Sequence, residues 1–310
     1  MSYTDGPTPD TLLLSVVVPV YNDPEGVRTT LESLTTQTCP AEVYEVLVVD
    51  NGSEDDTRAV IGEYCDRYPD LVTLLVEDEI QSSYAARNRG IENARGSLVS
   101  FIDADVSVEP TWVESVVASH RRHGWDYMGC NVAVYAEGDE SLAVVFERSL
   151  AGFPIERYLE EQHYTVTACL TVRKEVFEVV GRFDARVISG GDLEFGKRVH
   201  AAGFDQYFEA DITMYHPARV TLRELLVKRV RVGRGLAQLA RYWPDRFGRR
   251  SFLNPRRYLP PHPVRVRERI TDGSALDPSE ALGVFVVAYL CKLSGSVGEL
   301  SEYVETGAQN

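Results

Sequence analysis

The sequence predicts an α/β fold built on a largely parallel sheet, followed by a helical C-terminal appendage. Three observations carry this prediction. Short apolar, β-branched runs recur four times between Leu12 and Ile102. Segments with helical apolar spacing separate them, joined by short connections, which is the pattern of parallel strands with right-handed crossovers. Three of the four runs end in clusters of carboxylates and amides, and open sheets of this kind bind ligands outside the carboxyl ends of their strands.

Leu12–Val20 (LLLSVVVPV) is expected to be a strand buried on both faces, ending at Tyr21-Asn22-Asp23. Asp23–Thr36 follows with helical spacing through Val27, Leu31 and Leu34. Tyr44–Val49 is a second buried strand, closed by Asp50-Asn51-Gly52-Ser53. Thr57–Tyr68 is a helix, Leu71–Val76 a third strand and Ser83–Ala94 a further helix. Leu98–Ile102 is the fourth strand, and it runs into Asp103-Ala104-Asp105. Two carboxylates one residue apart, on a bend after a buried strand, can turn toward one point. A hard divalent cation such as Mg²⁺ takes one or two carboxylates together with substrate phosphates.

Composition sets the outer bounds. A chain of 310 residues, 44% hydrophobic and 25% charged, is an ordinary globular one with room for a large core. Its net charge of −15 is unevenly spread: residues 1–218 carry 38 acids and 16 bases, whereas residues 219–269 carry 3 acids and 15 bases. The acidic part repels phosphate backbones, which argues against nucleic acid as a partner, and no nucleic acid is expected. Of the 32 basic residues only 4 are Lys, and an acidic, Lys-poor surface suits a high-salt cytoplasm. The five cysteines are odd in number, scattered and without a C-x-x-C pair, which points to a reducing compartment. The polar start MSYTDGPTPD has no basic region before an apolar run, so no signal peptide is expected there. No uninterrupted apolar run reaches the roughly 18 residues of a membrane span. The G-x-x-x-x-G-K-[ST] phosphate loop, a G-x-G-x-x-G after the first strand and the G-x-S-x-G elbow are all missing. This argues against P-loop NTPases, nicotinamide-dependent dehydrogenases and α/β-hydrolases.

Several motifs taken in order resemble family 2 glycosyltransferases of the GT-A fold. They are Ser15–Asn22 (SVVVPVYN), Val48–Thr57 (VVDNGSEDDT), Ala86–Ile91 (ARNRGI) and Phe101–Asp105 (FIDAD), then Thr167–Phe177 (TACLTVRKEVF), Gly181–Asp184 (GRFD) and Gly190–Arg198 (GGDLEFGKR). The resemblance covers residues 12–220, after an N-terminal tail of residues 1–11 and before a basic, mainly helical region over 221–310. It implies that Pro19, Tyr21, Asn22 and Asp50 line the nucleoside pocket, that Arg87 approaches the diphosphate, and that Asp103 serves the base-and-ribose side. It further implies a divalent metal, Mg²⁺ or Mn²⁺, on Asp105 with His216, and Asp192 as the general base. On the acceptor side it implies Glu194, Thr167 and Cys169. Two departures stand out. Many members have Glu where Gly191 precedes the base, and Thr167-Ala168-Cys169 stands where T-G-N is common.

The activity so implied is inverting, metal-dependent transfer of a sugar from a nucleotide-diphosphate donor, with a UDP-sugar favoured. The acceptor would be a lipid-linked or surface glycan, as in protein glycosylation. Direct transfer to polyisoprenyl phosphate is the alternative within the family, and a non-catalytic sugar-nucleotide-binding scaffold the alternative outside it. The arginine-rich segment has helical apolar spacing through Leu222, Leu225, Leu226, Val230, Leu236 and Leu239. It suits an anionic membrane surface, and equally an internal pairing with acids. Asp277-Pro278-Ser279-Glu280 starts a helix carrying the 11-residue apolar run Ala281–Cys291, read as packed or interfacial. The expected compartment is the cytoplasm, with peripheral attachment at the cytoplasmic face of a membrane.

Overall fold

The computed structural model describes residues 13–136, 138, 140–248, 255–264, 266 and 276–307. The expected tail over 1–11 and part of the basic segment lie outside the described residues. The chain divides into two compact units. One comprises residues up to 132, 154–186 and 191–216, and the other comprises 133–153, 187–190 and the residues from 217 onward.

The first unit holds β1 (Leu14–Val20), α1 (Pro24–Thr35), β2 (Tyr44–Asp50), α2 (Thr57–Arg67), β3 (Val72–Val76), α3 (Ser83–Asn93) and β4 (Leu98–Phe101). These are the elements expected from the sequence, displaced by no more than two residues at their ends. β1 lies between β2 and β4 and is parallel to both, and β3 adds parallel to β2. Every residue of β1, β2 and β4 is buried, which is why apolar residues, mostly Val and Leu, occupy both faces instead of alternating. The remaining half is antiparallel. β7 (Leu170–Arg173) pairs with β4 and with β6 (Tyr127–Tyr135), and β5 (Ser107–Val108) pairs with β8 (Gln206–Pro217). The strand order is β3-β2-β1-β4-β7-β6-β8-β5, a mixed sheet flanked by helices that also include α4 (Trp112–His123), α6 (Ile155–Gln162) and α7 (Lys174–Val180).

Because β2, β1 and β4 are adjacent and parallel, their carboxyl ends place the Asp50, Asn22 and Asp103 clusters side by side. A ring cluster of Phe101, Phe177, Phe183 and Phe195 packs beneath, with centroids 4.7 Å apart for Phe183–Phe195 and 5.4 Å for Phe101–Phe183. At the opposite strand ends the buried Glu45 carboxylate is matched by Ser15 Oγ at 2.7 Å and by Arg95 Nε at 2.7 Å.

The second unit contains α5 (Leu142–Phe146), α9 (Leu222–Tyr242) and the terminal helix (Pro278–Gly307). Thr221 and Glu224 form a capping box at the start of α9. Ala143, Phe146, Leu225, Val284, Val287 and Cys291 make its core. A Cβ on Gly298 would run into the Val230 backbone, so glycine lets the terminal helix approach α9 closely. The terminal helix also corrects the reading of an 11-residue apolar element. It is 30 residues long, and residues 278–305 are long and apolar enough to cross a membrane by length and composition. Lys292 ends the uninterrupted apolar run, but apolar positions resume at Leu293 and continue to Val304. Basic residues of this unit pair within it: Arg219 and Lys228 with Glu147, Arg234 with Glu302 and Glu305, and Arg257 with Glu299.

Candidate active site

The site is built from three loop starts and one helix start, all within the first unit. After β1 the chain turns at Asn22, whose φ of 49° is the left-handed conformation that Asn tolerates. Asn22 N donates to Ser53 Oγ at 2.9 Å, and its Oδ1 accepts from Glu54 N at 2.9 Å. This ties the first loop to the second. Asp50 is fully buried at the end of β2, where its carboxylate accepts from the backbone N–H of Gly52 and Ser53 and from Arg58 Nε at 2.6 Å. Pro19 is buried within β1 opposite Val49, whereas Tyr21 is half exposed at the rim.

Asp103 follows β4, and Arg87 reaches it from α3. Arg87 Nη2 donates to Asp103 Oδ1 at 2.6 Å and Nη1 to the Ser83 carbonyl at 3.2 Å. The Arg87 Nε is buried without a hydrogen-bond partner, an orphan donor of the kind an anionic ligand satisfies. Asn88, the next residue, clamps the Phe183 backbone from both sides, Nδ2 to O at 2.8 Å and N to Oδ1 at 3.1 Å. The A-R-N motif thus divides its work: Arg87 faces the site and Asn88 fixes the loop that leads to α8 (Gly191–Ala201).

Asp105 is half-buried, and burial pushes its carboxyl upward. His216 opposes the shift, and the nearby Asp103 and Asp23 carboxylates add to it. Asp23 also caps α1 through Gly26 N at 2.9 Å. Among the described residues no group of three or more His, Cys, Asp or Glu side chains surrounds a common point. A half-buried carboxylate, with two further acids and an imidazole in electrostatic reach, fits a hard cation that completes its shell with phosphate oxygens.

Asp192 stands in the first turn of α8, where its Oδ1 accepts from Leu193 N at 2.9 Å. Burial raises its carboxyl, the Leu193 N–H and the Arg87 charge pull it back down, and Asp103 pushes it up. These couplings place Asp192 within electrostatic reach of both members of the Arg87–Asp103 pair. The neighbouring Glu194 is 1% exposed, and both its oxygens accept from Arg198 Nε at 2.9 Å. Arg198 in turn bonds the carbonyls of residues 180–182, an internal tie. Thr167 and Cys169 lie buried in the turn that opens β7, and Cys169 Sγ is 3.3 Å from Thr165 Oγ1. A cavity of about 570 Å³ lined by Glu156, His163, His200, Gln206 and Tyr207 is centred on the other end of α8, roughly 12 Å along the helix from Asp192.

Three participants escaped sequence reasoning: Tyr84, Asp23 as a charge beside Asp105, and Arg58 on Asp50. Tyr84 ends against Gly191, 107 residues away, and no local pattern announces such a contact.

Comparison with known proteins bears on the family and the fold. The Glycosyl transferase family 2 profile matches residues 15–181. Glycosyltransferase AglE of Haloferax volcanii is 35% identical over 303 residues, covering 96% of this chain and 98% of that protein. The O-antigen biosynthesis protein RfbC of Myxococcus xanthus is 28% identical over 83% of this chain, which spans only 20% of RfbC. Among solved structures, the mannosyltransferase PcManGT of Pyrobaculum calidifontis, in complex with GDP-Man and Mn²⁺, superposes with a TM-score of 0.57 at 18% identity, covering 100% of this chain and 79% of that one. S. aureus TarS 1–349 with UDP-GlcNAc superposes with a TM-score of 0.56 at 18% identity, covering 95% and 92%. The fold is therefore GT-A, and the chain is a glycosyltransferase that belongs to family 2.

Proposed function

We propose that the chain transfers a sugar from a nucleotide-diphosphate donor to a glycan acceptor with inversion at the anomeric carbon. The observation that supports this most strongly is the grouping of Arg87, Asp103, Asp105 and Asp192 beyond the carboxyl ends of adjacent parallel strands. Arg87 binds the diphosphate through its unsatisfied donor, and the loops at Asn22 and Asp50 receive the nucleoside. Asp105 with His216 would hold a divalent metal, which when bound neutralises charge on the leaving diphosphate. The acceptor hydroxyl attacks C1 opposite the leaving group. Its proton passes to Asp192, the C1–O bond to phosphate breaks, and the glycosidic bond forms. On this reading Glu194 supports the helix that carries the base, and Thr167 and Cys169 shape the acceptor side.

Turnover of a panel of UDP- and GDP-sugars with Mn²⁺, with Mg²⁺ and with EDTA tests the proposal. Release of nucleoside diphosphate from one donor, abolished by EDTA, is the expected result. No release from any donor would contradict it and favour a sugar-nucleotide-binding scaffold.

A surface or lipid-linked glycan is the acceptor class we favour. The similarity to RfbC, an O-antigen biosynthesis protein, supports a surface glycan. The terminal helix supports a membrane-borne one: Leu282, Val286, Val297, Leu300 and Val304 are 40–65% exposed and fall along one helical stripe. Exposed Arg223, Arg231 and Arg241 of α9 add attraction to anionic lipid. Direct transfer to polyisoprenyl phosphate is a second reading that the same stripe favours. The protein is expected to float with vesicles containing phosphatidylglycerol; a protein that stays in the soluble fraction would argue for a soluble acceptor.

A further inference from the structure

We propose that Tyr84 is a positioning residue that holds the Asp192 helix in register with Arg87, and that Gly191 is glycine in order to admit it. The inference rests on the assignment of Asp192 and Arg87 made above. Tyr84 is 5% exposed in the first turn of α3, where Ser82 Oγ caps its backbone N–H at 3.2 Å. Three residues on, and on the same helix face, stands Arg87. The Arg87 guanidinium lies over the Tyr84 ring, 5.6 Å from its centroid, while its Nη2 holds Asp103.

The far end of the same side chain meets α8. The phenol oxygen accepts the Gly191 N–H at 2.8 Å, one of the first-turn donors that has no partner inside its own helix. The ring fills the space in front of Gly191: a Cβ there would sit 2.7 Å from Cζ and 2.9 Å from Cε1. Real Cβ contacts are not this short, so any other residue at 191 must displace the ring. Burial keeps the phenol protonated, and Phe183 backs the ring at 5.7 Å between centroids. One rigid side chain thus touches the cation on the donor side and the start of the helix that carries the base. Misplacement of a reacting group by about 1 Å can cost on the order of a hundredfold in rate, so such a spacer has a kinetic role. It also accounts for the departure at Gly191, because the volume expected of a larger side chain there is occupied by Tyr84.

The test uses the full chain and the donor that the nucleotide-sugar panel selects, with UDP and GDP titrated in Mn²⁺ to read nucleotide affinity. Tyr84→Phe keeps the ring and deletes the cap. It is expected to lower kcat about tenfold while nucleotide affinity stays within about twofold of wild type. Gly191→Ala is expected to lower kcat by about tenfold or more in the Tyr84 background and to cost nothing further in a Tyr84→Leu background, where the ring is gone. Wild-type kcat in Tyr84→Phe, or an equal cost of Gly191→Ala in both backgrounds, would overturn the proposal. Asp192→Asn run alongside separates the two levels. If it transfers like wild type, the base assignment falls; if it is inactive while Tyr84→Phe is unaffected, only the role of Tyr84 falls.

Discussion

Asp192 is set between opposing influences: burial and Asp103 raise its carboxyl, while the Leu193 N–H and the Arg87 charge lower it. A general base works only when deprotonated, and burial shifts that deprotonation upward, so transfer falls as pH drops through the raised pKa of Asp192. Arg87→Gln removes a cation that favours the carboxylate. The acid limb of the rate profile is therefore expected to move to higher pH, with nucleotide affinity weakened by about tenfold or more. An acid limb that stays in place would detach Arg87 from the base. The candidate site was legible where its signals are local: Asp103 and Asp105 on one bend, Asn22 and Asp50 at strand ends, and Asp192 in an ordered run of motifs. Tyr84 and Arg58 were not legible, because their roles arise only when distant loops meet. Glu194, which the resemblance implies on the acceptor side, pairs with Arg198 one turn further on, a partner that no local motif announces.

At the level of elements, the parallel half was readable because burial on both faces demands continuous apolar runs. The antiparallel half was not. β6 and β8 mix buried and partly exposed positions, so their apolar signal is weaker. Gly90 in α3 shows how tightly the parallel half packs, since a Cβ there would collide with both Val17 methyl carbons. Gly90→Ala gains about 1 kcal/mol of helix propensity but overpacks a core contact, which costs about 1–3 kcal/mol. A lower urea midpoint is expected, and a higher one would show that α3 can move. In the second unit, burial and Arg219 lower the Lys228 ammonium to about 8, against the pull of Glu147. Between that value and the ordinary lysine range, the unfolded chain binds more protons than the folded one, so this group makes stability rise with pH. Wild type is thus expected to gain stability relative to Lys228→Met as pH rises from about 8 to 10. Parallel pH curves for the two proteins would contradict the burial of this charge.

Across the whole molecule, the overall charge of −15 resolves into two unlike parts. By sequence, the first unit carries 15 Lys and Arg against 34 Asp and Glu, and the second carries 17 against 13. Self-repulsion within the acidic unit is screened by salt, so the thermal midpoint is expected to rise by several degrees between about 0.1 and 2 M KCl. An unchanged midpoint would mean that local ion pairs already neutralise the unit. The contrast in charge was plain in the sequence, but the interleaving of 133–153 and 187–190 with the C-terminal helices was not. Those short segments join the second unit through contacts such as Arg219 N to Glu147 Oε2 at 2.8 Å and Ile188 N to Gln238 Oε1 at 2.9 Å, which link residues far apart in the chain.

The central claim is that Asp192 accepts the acceptor's proton in a site that binds the donor without it. Single-turnover transfer by Asp192→Asn, measured beside nucleotide affinity in the same metal, addresses it most directly. The account predicts nucleotide affinity within about twofold of wild type and transfer reduced by about a thousandfold. Transfer at the wild-type rate would contradict it.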